Sequence, residues 1–197
     1  WNYPNQLGYP AKATGGEFAG KVFSEAGYGL TARGIEFLEE MENLGMIIDV
    51  AHLNDAGIRD VLKFTKKPFV ASHSNARHLC SHPRNLNDEL LKAIGERGGV
   101  IGLNYYAYFL RDWKDGETVV SRAEDIVAHA KYICDMAGIE ALGLGSDFDG
   151  MNGELEIASP ADMTKLEDVF KKNGFTESEI EKIFCKNVMR IYRELLG

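Results

Sequence analysis

Two imidazoles and one carboxylate stand directly after short apolar runs. His52 follows Met46-Ile-Ile-Asp-Val-Ala51, His73 follows Phe69-Val-Ala-Ser72, and Asp147 follows Gly143-Leu-Gly-Ser146. Imidazole nitrogens and carboxylate oxygens are the donors of a hydrolytic zinc centre, where the metal lowers the pKa of a bound water towards neutrality. One histidine at a strand end is as easily a hydrogen-bonded core residue. Three ligand-type residues in succession at such ends favour a metal.

Other polar groups gather nearby. The segment Ser72-His-Ser-Asn-Ala-Arg-His-Leu-Cys-Ser-His-Pro-Arg-Asn85 carries Arg77 and Arg84, each able to offer a planar fork to a carboxylate, with His78 and His82 as further donors. A loop arginine is more often an ion-pair partner than a ligand clamp, and proximity to His73 brings the two readings level. A third apolar run ends in Asn104-Tyr105-Tyr106. Its aromatics, with Tyr108 and Phe109, read most economically as packing, although a rim phenol could hydrogen-bond a substrate carbonyl. His129 falls in a helical stretch and receives no role.

Competing motifs fail on spacing. In Gly143-Leu-Gly-Ser-Asp-Phe-Asp-Gly150 the glycine after Asp147 arrives too early for a calcium loop, and Phe148 stands where a dinucleotide fingerprint needs its third glycine. Asp149 is the better turn cap, which leaves Asp147 as an acid on a glycine-bounded strand end. No Gly-x-Ser-x-Gly elbow occurs, and Cys80, Cys134 and Cys185 lie away from the run ends, so serine or cysteine nucleophiles are disfavoured.

Such residues meet only if their elements bring one end of each run together. Met46–Ala51, Pro68–Ala71, Gly99–Leu103 and Ala141–Gly145 read as strands. Between them, Ile35, Leu38, Met41 and Leu44 fall at helical spacing with Gly45 as a stop. Asn54 and Asn87 cap two further helices, and Ser121 with Glu124 reads as a capping box. After the fourth strand, Ser159-Pro160, Thr176 with Glu179, and Asn187 open helical segments. Residues 1–30 lack a period and read as one long loop, a candidate lid. The alternation predicts an α/β fold with a parallel sheet, whose strand carboxyl ends form one rim. Four strands cannot close an eight-stranded barrel of about 250 residues. The chain is therefore a small open sheet or about half of a barrel.

The 197 residues suit a single domain. Twenty-two Lys+Arg against 30 Asp+Glu give a net charge of −8, which argues against nucleic acid or an anionic membrane as partner. Three scattered cysteines suggest a reducing, cytoplasmic setting. The apolar stretch Val100–Leu110 is about half of the roughly 20 residues a spanning helix needs, so no membrane anchor is expected.

Ile48-Asp-Val-Ala-His-Leu53, Ser72-His-Ser-Asn-Ala-Arg77, His82-Pro-Arg-Asn-Leu86 and Gly143-Leu-Gly-Ser-Asp-Phe-Asp-Gly150 together resemble the membrane (renal) dipeptidase family of zinc peptidases, within the amidohydrolase-like barrels. The resemblance runs along essentially the whole chain. It implies a (β/α)8 TIM-type barrel holding two zinc ions, in which a bridging hydroxide attacks the peptide bond of a dipeptide. By that resemblance the chain supplies strands five to eight, His52 and His73 ligate zinc, and Asp147 handles the proton of nucleophile and leaving amine. Arg84 pairs with the substrate carboxylate, while Asn104 and Tyr106 lie near the substrate. The family's His-x-Asp motif and bridging glutamate are absent from these residues. The expected partner is thus a missing amino-terminal half, the expected substrate a dipeptide, and a homodimer is a family expectation. Isolated, the chain is expected to bind zinc weakly and turn over little. Deacylase or lactonase chemistry on the same rim, and a non-catalytic fragment, are the alternatives.

Overall fold

The computed structural model describes residues 2–23, 27–114 and 116–197. Helices alternate with short strands as the periodicity predicts. In chain order the helices are α1 (Ala32–Asn43), α2 (Asp55–Phe64), α3 (Asp88–Glu96), α4 (Ala123–Ala137), α5 (Met163–Lys172), α6 (Glu177–Glu181) and α7 (Asn187–Leu196). The strands are β1 (Val70–Ala71), β2 (Val100–Leu103), β3 (Val120–Ser121), β4 (Leu142–Leu144) and β5 (Glu154–Leu155).

Sheet order follows chain order. β1 pairs in parallel with β2, and β2 with β4. All four residues of β2 are buried, as a strand covered on both faces requires. Leu90, Leu91 and Ile94 of α3, with Ile126, Val127, Ala130 and Ile133 of α4, supply the covering layer. Each such side chain gains roughly 1.5–3 kcal/mol by leaving water. Among the described residues no helix is long and apolar enough to cross a membrane.

Several local expectations change in the folded chain. Met46–Ala51 is not a full strand: it contributes one parallel bridge, Asp49 to Val70, and two hydrogen bonds. The segment curls early because Ala51 N–H donates back to the Asp49 carboxylate at 3.0 Å. Ser121 does not cap α4. It pairs with Leu155 in the β3–β5 ladder, and Glu156 accepts from Ala123 N–H instead. Asn187 does not open a new helix either. A π turn over Lys182–Lys186 runs into α7, and the Asn187 amide donates to the carbonyls of Ile139 and Leu142, tying the helix to the start of β4. Asn54, Asn87 and the Thr176–Glu179 capping box sit as expected.

The described residues of the aperiodic amino-terminal segment, which exclude 1 and 24–26, are held by contacts from afar. Asn54 accepts from Gly57 N–H while its amide donates to the carbonyls of Phe23 and Tyr28. Tyr9, Phe23 and Tyr28 form an aromatic cluster with ring centroids 5.0–5.4 Å apart. Residues 10–23 form a hairpin-like arm, bridged between Lys12 and Val22 and joined to the rim by Ala11 N–H on the His52 carbonyl.

Candidate active site

Glycine lets the strand ends converge. A Cβ at Gly102 or Gly145 would collide with the Ser72 carbonyl oxygen, so both positions exclude any larger residue. Above this contact the two histidines meet: Nε2 of His52 lies 2.9 Å from Nε2 of His73, with the rings inclined by 61°.

The proton inventory fixes one tautomer. Ser72 Oγ lies 2.6 Å from Asp49 Oδ2 and 2.7 Å from His73 Nδ1. A carboxylate only accepts, so the Ser72 hydroxyl donates to Asp49 and accepts from His73 Nδ1–H. His73 Nε2 is left with its lone pair directed at His52. Asp49 also accepts from Ser72 N–H and Ala51 N–H, at 2.9 and 3.0 Å. Burial, reinforced by the Arg84 charge, lowers His52 to about 3 and also lowers His73, so both rings are neutral near pH 7. His52 Nδ1 is buried without a hydrogen-bond partner among the described residues.

Two neutral imidazoles with converging nitrogens are the donor set a zinc ion takes. Zn–N bonds of about 2.0–2.1 Å at a tetrahedral angle separate two nitrogens by about 3.3 Å, a few tenths of an ångström more than the pair shows. The pair fits as part of a shell. Among the described residues no group of three or more His, Cys, Asp or Glu side chains could hold a metal.

Asp147 reaches the same rim from the end of β4. It has the one positive φ, 64°, among the described non-glycine residues, and Gly150 N–H closes a turn on its carbonyl. This strained backbone carries a side chain held by Asn104, whose amide donates to Asp147 Oδ2 at 3.1 Å and whose oxygen accepts from Tyr106 N–H. Buried Asn75 in turn grips Asn104 by accepting from its N–H and donating to its carbonyl.

Arg84 is 7% exposed, and no carboxylate lies within salt-bridge distance among the described residues. Its Nε donates to the Ala51 carbonyl at 2.8 Å and its guanidinium faces the Phe109 ring. Burial lowers it to about 10, still well above neutrality. His52, Arg84, Tyr106 and Asp147 line one cleft of about 760 Å³.

Of the residues singled out from sequence, His52, His73, Arg84, Asn104, Tyr106 and Asp147 meet on one rim. Arg77 does not: it forms a two-pronged pair with Asp55 at 2.7 Å. His129 is buried in the core, accepting from Ala76 N–H and donating to the Leu110 carbonyl. Asp49, Ser72 and Asn75 escaped the sequence reading. Their signal was the acid three residues before His52 and the hydroxyl immediately before His73.

Known proteins share this arrangement of elements. A model of the membrane dipeptidases (peptidase family M19) matches residues 9–196. A Klebsiella pneumoniae protein, described as uncharacterized and lying in the pqqA 5′ region, is 34% identical over 197 residues, 99% of this chain and 70% of its own length. An uncharacterized dipeptidase of Schizosaccharomyces pombe is 34% identical over 170 residues, 84% of this chain but 40% of its own length. A solved metallo peptidase from Rhodobacter sphaeroides, liganded with a phosphinate mimic of the dipeptide L-Ala-D-Ala, superposes with a TM-score of 0.84 at 30% identity. The overlap covers 99% of this chain and 54% of that one. The chain thus spans about half of the yeast and Rhodobacter proteins it matches. With its helix and strand order, its rim and its match over residues 9–196, the chain belongs to the membrane dipeptidase family, peptidase family M19.

Proposed function

We propose that this chain is the strand-five-to-eight half of a (β/α)8 barrel in a zinc-dependent dipeptidase, and that residues 1–197 form one domain of that barrel. The reading rests above all on Arg84, a buried guanidinium without a described carboxylate partner, lining the same cleft as His52 and Asp147. The guanidinium donates to the Ala51 and His73 carbonyls and feels the Asp147 and Asp49 charges from beyond salt-bridge distance, and the carboxylate of a small substrate supplies a direct counter-charge. Sheet order, parallel pairing and the Rhodobacter relative support the barrel.

His52 and His73 would hold one of two zinc ions, with the remaining ligands contributed from outside these residues. When bound, zinc supplies a Lewis acid and lowers the pKa of water towards neutrality. This chain's residues do the rest. Arg84 binds the dipeptide's terminal carboxylate and thereby orients the peptide bond, so remote binding energy lowers the barrel's chemical barrier. Asp147 takes the proton of the attacking water and returns it to the leaving amine. Asn104 aims Asp147 and the Tyr106 backbone, and the Tyr106 phenol borders the substrate. Three free thiols support a reducing, cytoplasmic setting.

The test compares the 197-residue chain with its full-length protein for zinc content and for hydrolysis of dipeptides, acyl-amino acids and lactones. Full-length protein is expected to prefer dipeptides, while the chain alone binds zinc weakly and turns over little. Two tightly held zinc ions and full activity in the chain alone would sink the half-barrel reading. Zinc-loaded full-length protein that leaves dipeptides intact would sink the dipeptidase reading.

A further inference from the structure

Beyond Arg84 the cleft continues into a second cavity of about 580 Å³, bordered by Lys12, Thr14, His82, Arg84, Tyr106 and Tyr108. Thr14, Arg84, Tyr106, Phe109 and Asn152 line both cavities, while His52 and Asp147 line only the first. Among the described residues no acidic side chain lines it.

Lys12 is carried there by the amino-terminal arm. Ala11 and Ala13, each 1% exposed, pack inwards, and strand alternation turns the intervening Lys12 to the opposite face. The arm is fixed at both ends of this stretch: Ala11 N–H bonds the His52 carbonyl, and Ala13 N–H bonds the Lys21 carbonyl. Lys12 therefore stands in register with the rim. Among the described residues no carboxylate lies within salt-bridge distance of its ammonium. His82 senses this charge: after burial, Lys12 contributes most to lowering its pKa to about 4. The neutral ring accepts Arg84 N–H at Nδ1, leaving its proton on Nε2.

We propose that Lys12 makes this second cavity a pocket for an acidic side chain on the carboxyl-terminal residue of the dipeptide, selecting substrates that end in aspartate or glutamate. The inference rests on the dipeptidase reading. With the terminal carboxylate on Arg84 and the scissile carbonyl towards His52, the side chain on the same α-carbon enters the adjoining cavity that His52 and Asp147 do not line. An aspartate or glutamate there meets the Lys12 ammonium, with the Thr14 hydroxyl and the His82 N–H as further donors. A charge-assisted contact in a partly desolvated pocket discriminates by about tenfold.

The experiment uses the zinc-loaded full-length protein and its Lys12→Met and Lys12→Glu variants. kcat/KM is measured for Ala-Asp, Ala-Glu, Ala-Ala and Ala-Lys, and calorimetry follows binding of the phosphinate isosteres of Ala-Asp and Ala-Ala. Wild type is expected to favour the acidic dipeptides and the acidic isostere about tenfold. Lys12→Met should bring both ratios close to one, and Lys12→Glu should turn the preference towards Ala-Lys. Equal wild-type affinity for the two isosteres, or ratios that survive Lys12→Met, would overturn the assignment. Failure to hydrolyse any dipeptide would instead strike the dipeptidase reading, and the isostere ratio would still decide the role of Lys12.

Discussion

Replacing Ser72 by alanine isolates what orients His73. Among the described residues the hydroxyl is the only hydrogen-bonded link between the Asp49 carboxylate and the imidazole, at 2.6 and 2.7 Å, and alanine removes both bonds. Asp49 keeps its bonds from Ser72 N–H and Ala51 N–H at 2.9 and 3.0 Å, so the rim backbone stays in place. The loss then falls on the tautomer and tilt of the ring. Groups that support a metal-ligating histidine in this way are worth about 10–100-fold in metal affinity, which is about 1.4–2.7 kcal/mol. The half-buried hydroxyl contributes about 1 kcal/mol or less to global stability. Zinc affinity of full-length Ser72→Ala is measured by competition with a chromophoric chelator, beside urea unfolding of the same protein. The expected outcome is a tenfold or larger loss of affinity with a small change in unfolding midpoint. An affinity within twofold of wild type, with the fold intact, would refute the orienting role of Ser72 and Asp49.

Three further expectations follow from other parts of the molecule. Arg77→Met leaves Asp55, whose side chain is 9% exposed, without its two-pronged partner and costs about 2–4 kcal/mol in urea unfolding, with zinc affinity little changed. Asp147→Asn keeps an oxygen for the Asn104 amide but removes the proposed proton acceptor, so kcat is expected to fall about 10²–10⁴-fold while KM and the circular dichroism spectrum hold. His129 titrates near 4 in the fold against about 6.5 unfolded, because burial disfavours its charged form. The unfolded chain therefore binds more protons between those values, and stability present above pH 6.5 is lost as pH falls towards 4, by about 3 kcal/mol from this residue. His52 and His82 act in the same direction. Urea midpoints from pH 7.5 to 4.5 should decline less in His129→Gln than in wild type.

Much of the framework is legible along the chain because its signals are local. Asn54, Asn87 and Thr176 cap their helices through neighbours three residues away, and β2 and β4 are short apolar runs with glycine nearby. The rim residues are visible because each follows such a run. What escapes depends on contacts between distant segments. Ser121 has the spacing of a capping box, yet pairing with Leu155 withdraws it. Asn187 resembles a helix start, yet two carbonyls near β4 use its amide. Arg77 and Arg84 are alike in sequence context. Asp55 takes one, and the burial of the other beside His73 becomes apparent only in the fold. The amino-terminal arm has no period because its order comes from Asn54 and an aromatic cluster.

The close approach of Gly102 and Gly145 to the Ser72 carbonyl divides the site into two kinds of adjustable part. The separation of the histidines is written in the main chain, where no exchange of side chains elsewhere makes room for an added Cβ. The pocket beyond Arg84 is written in side chains, on an arm that meets the rim through backbone hydrogen bonds. Under the proposed assignments, Lys12 and Tyr108 can be varied to change what the second cavity accepts while the two histidines keep their spacing. On those assignments, selectivity and metal affinity are separate dials on one scaffold.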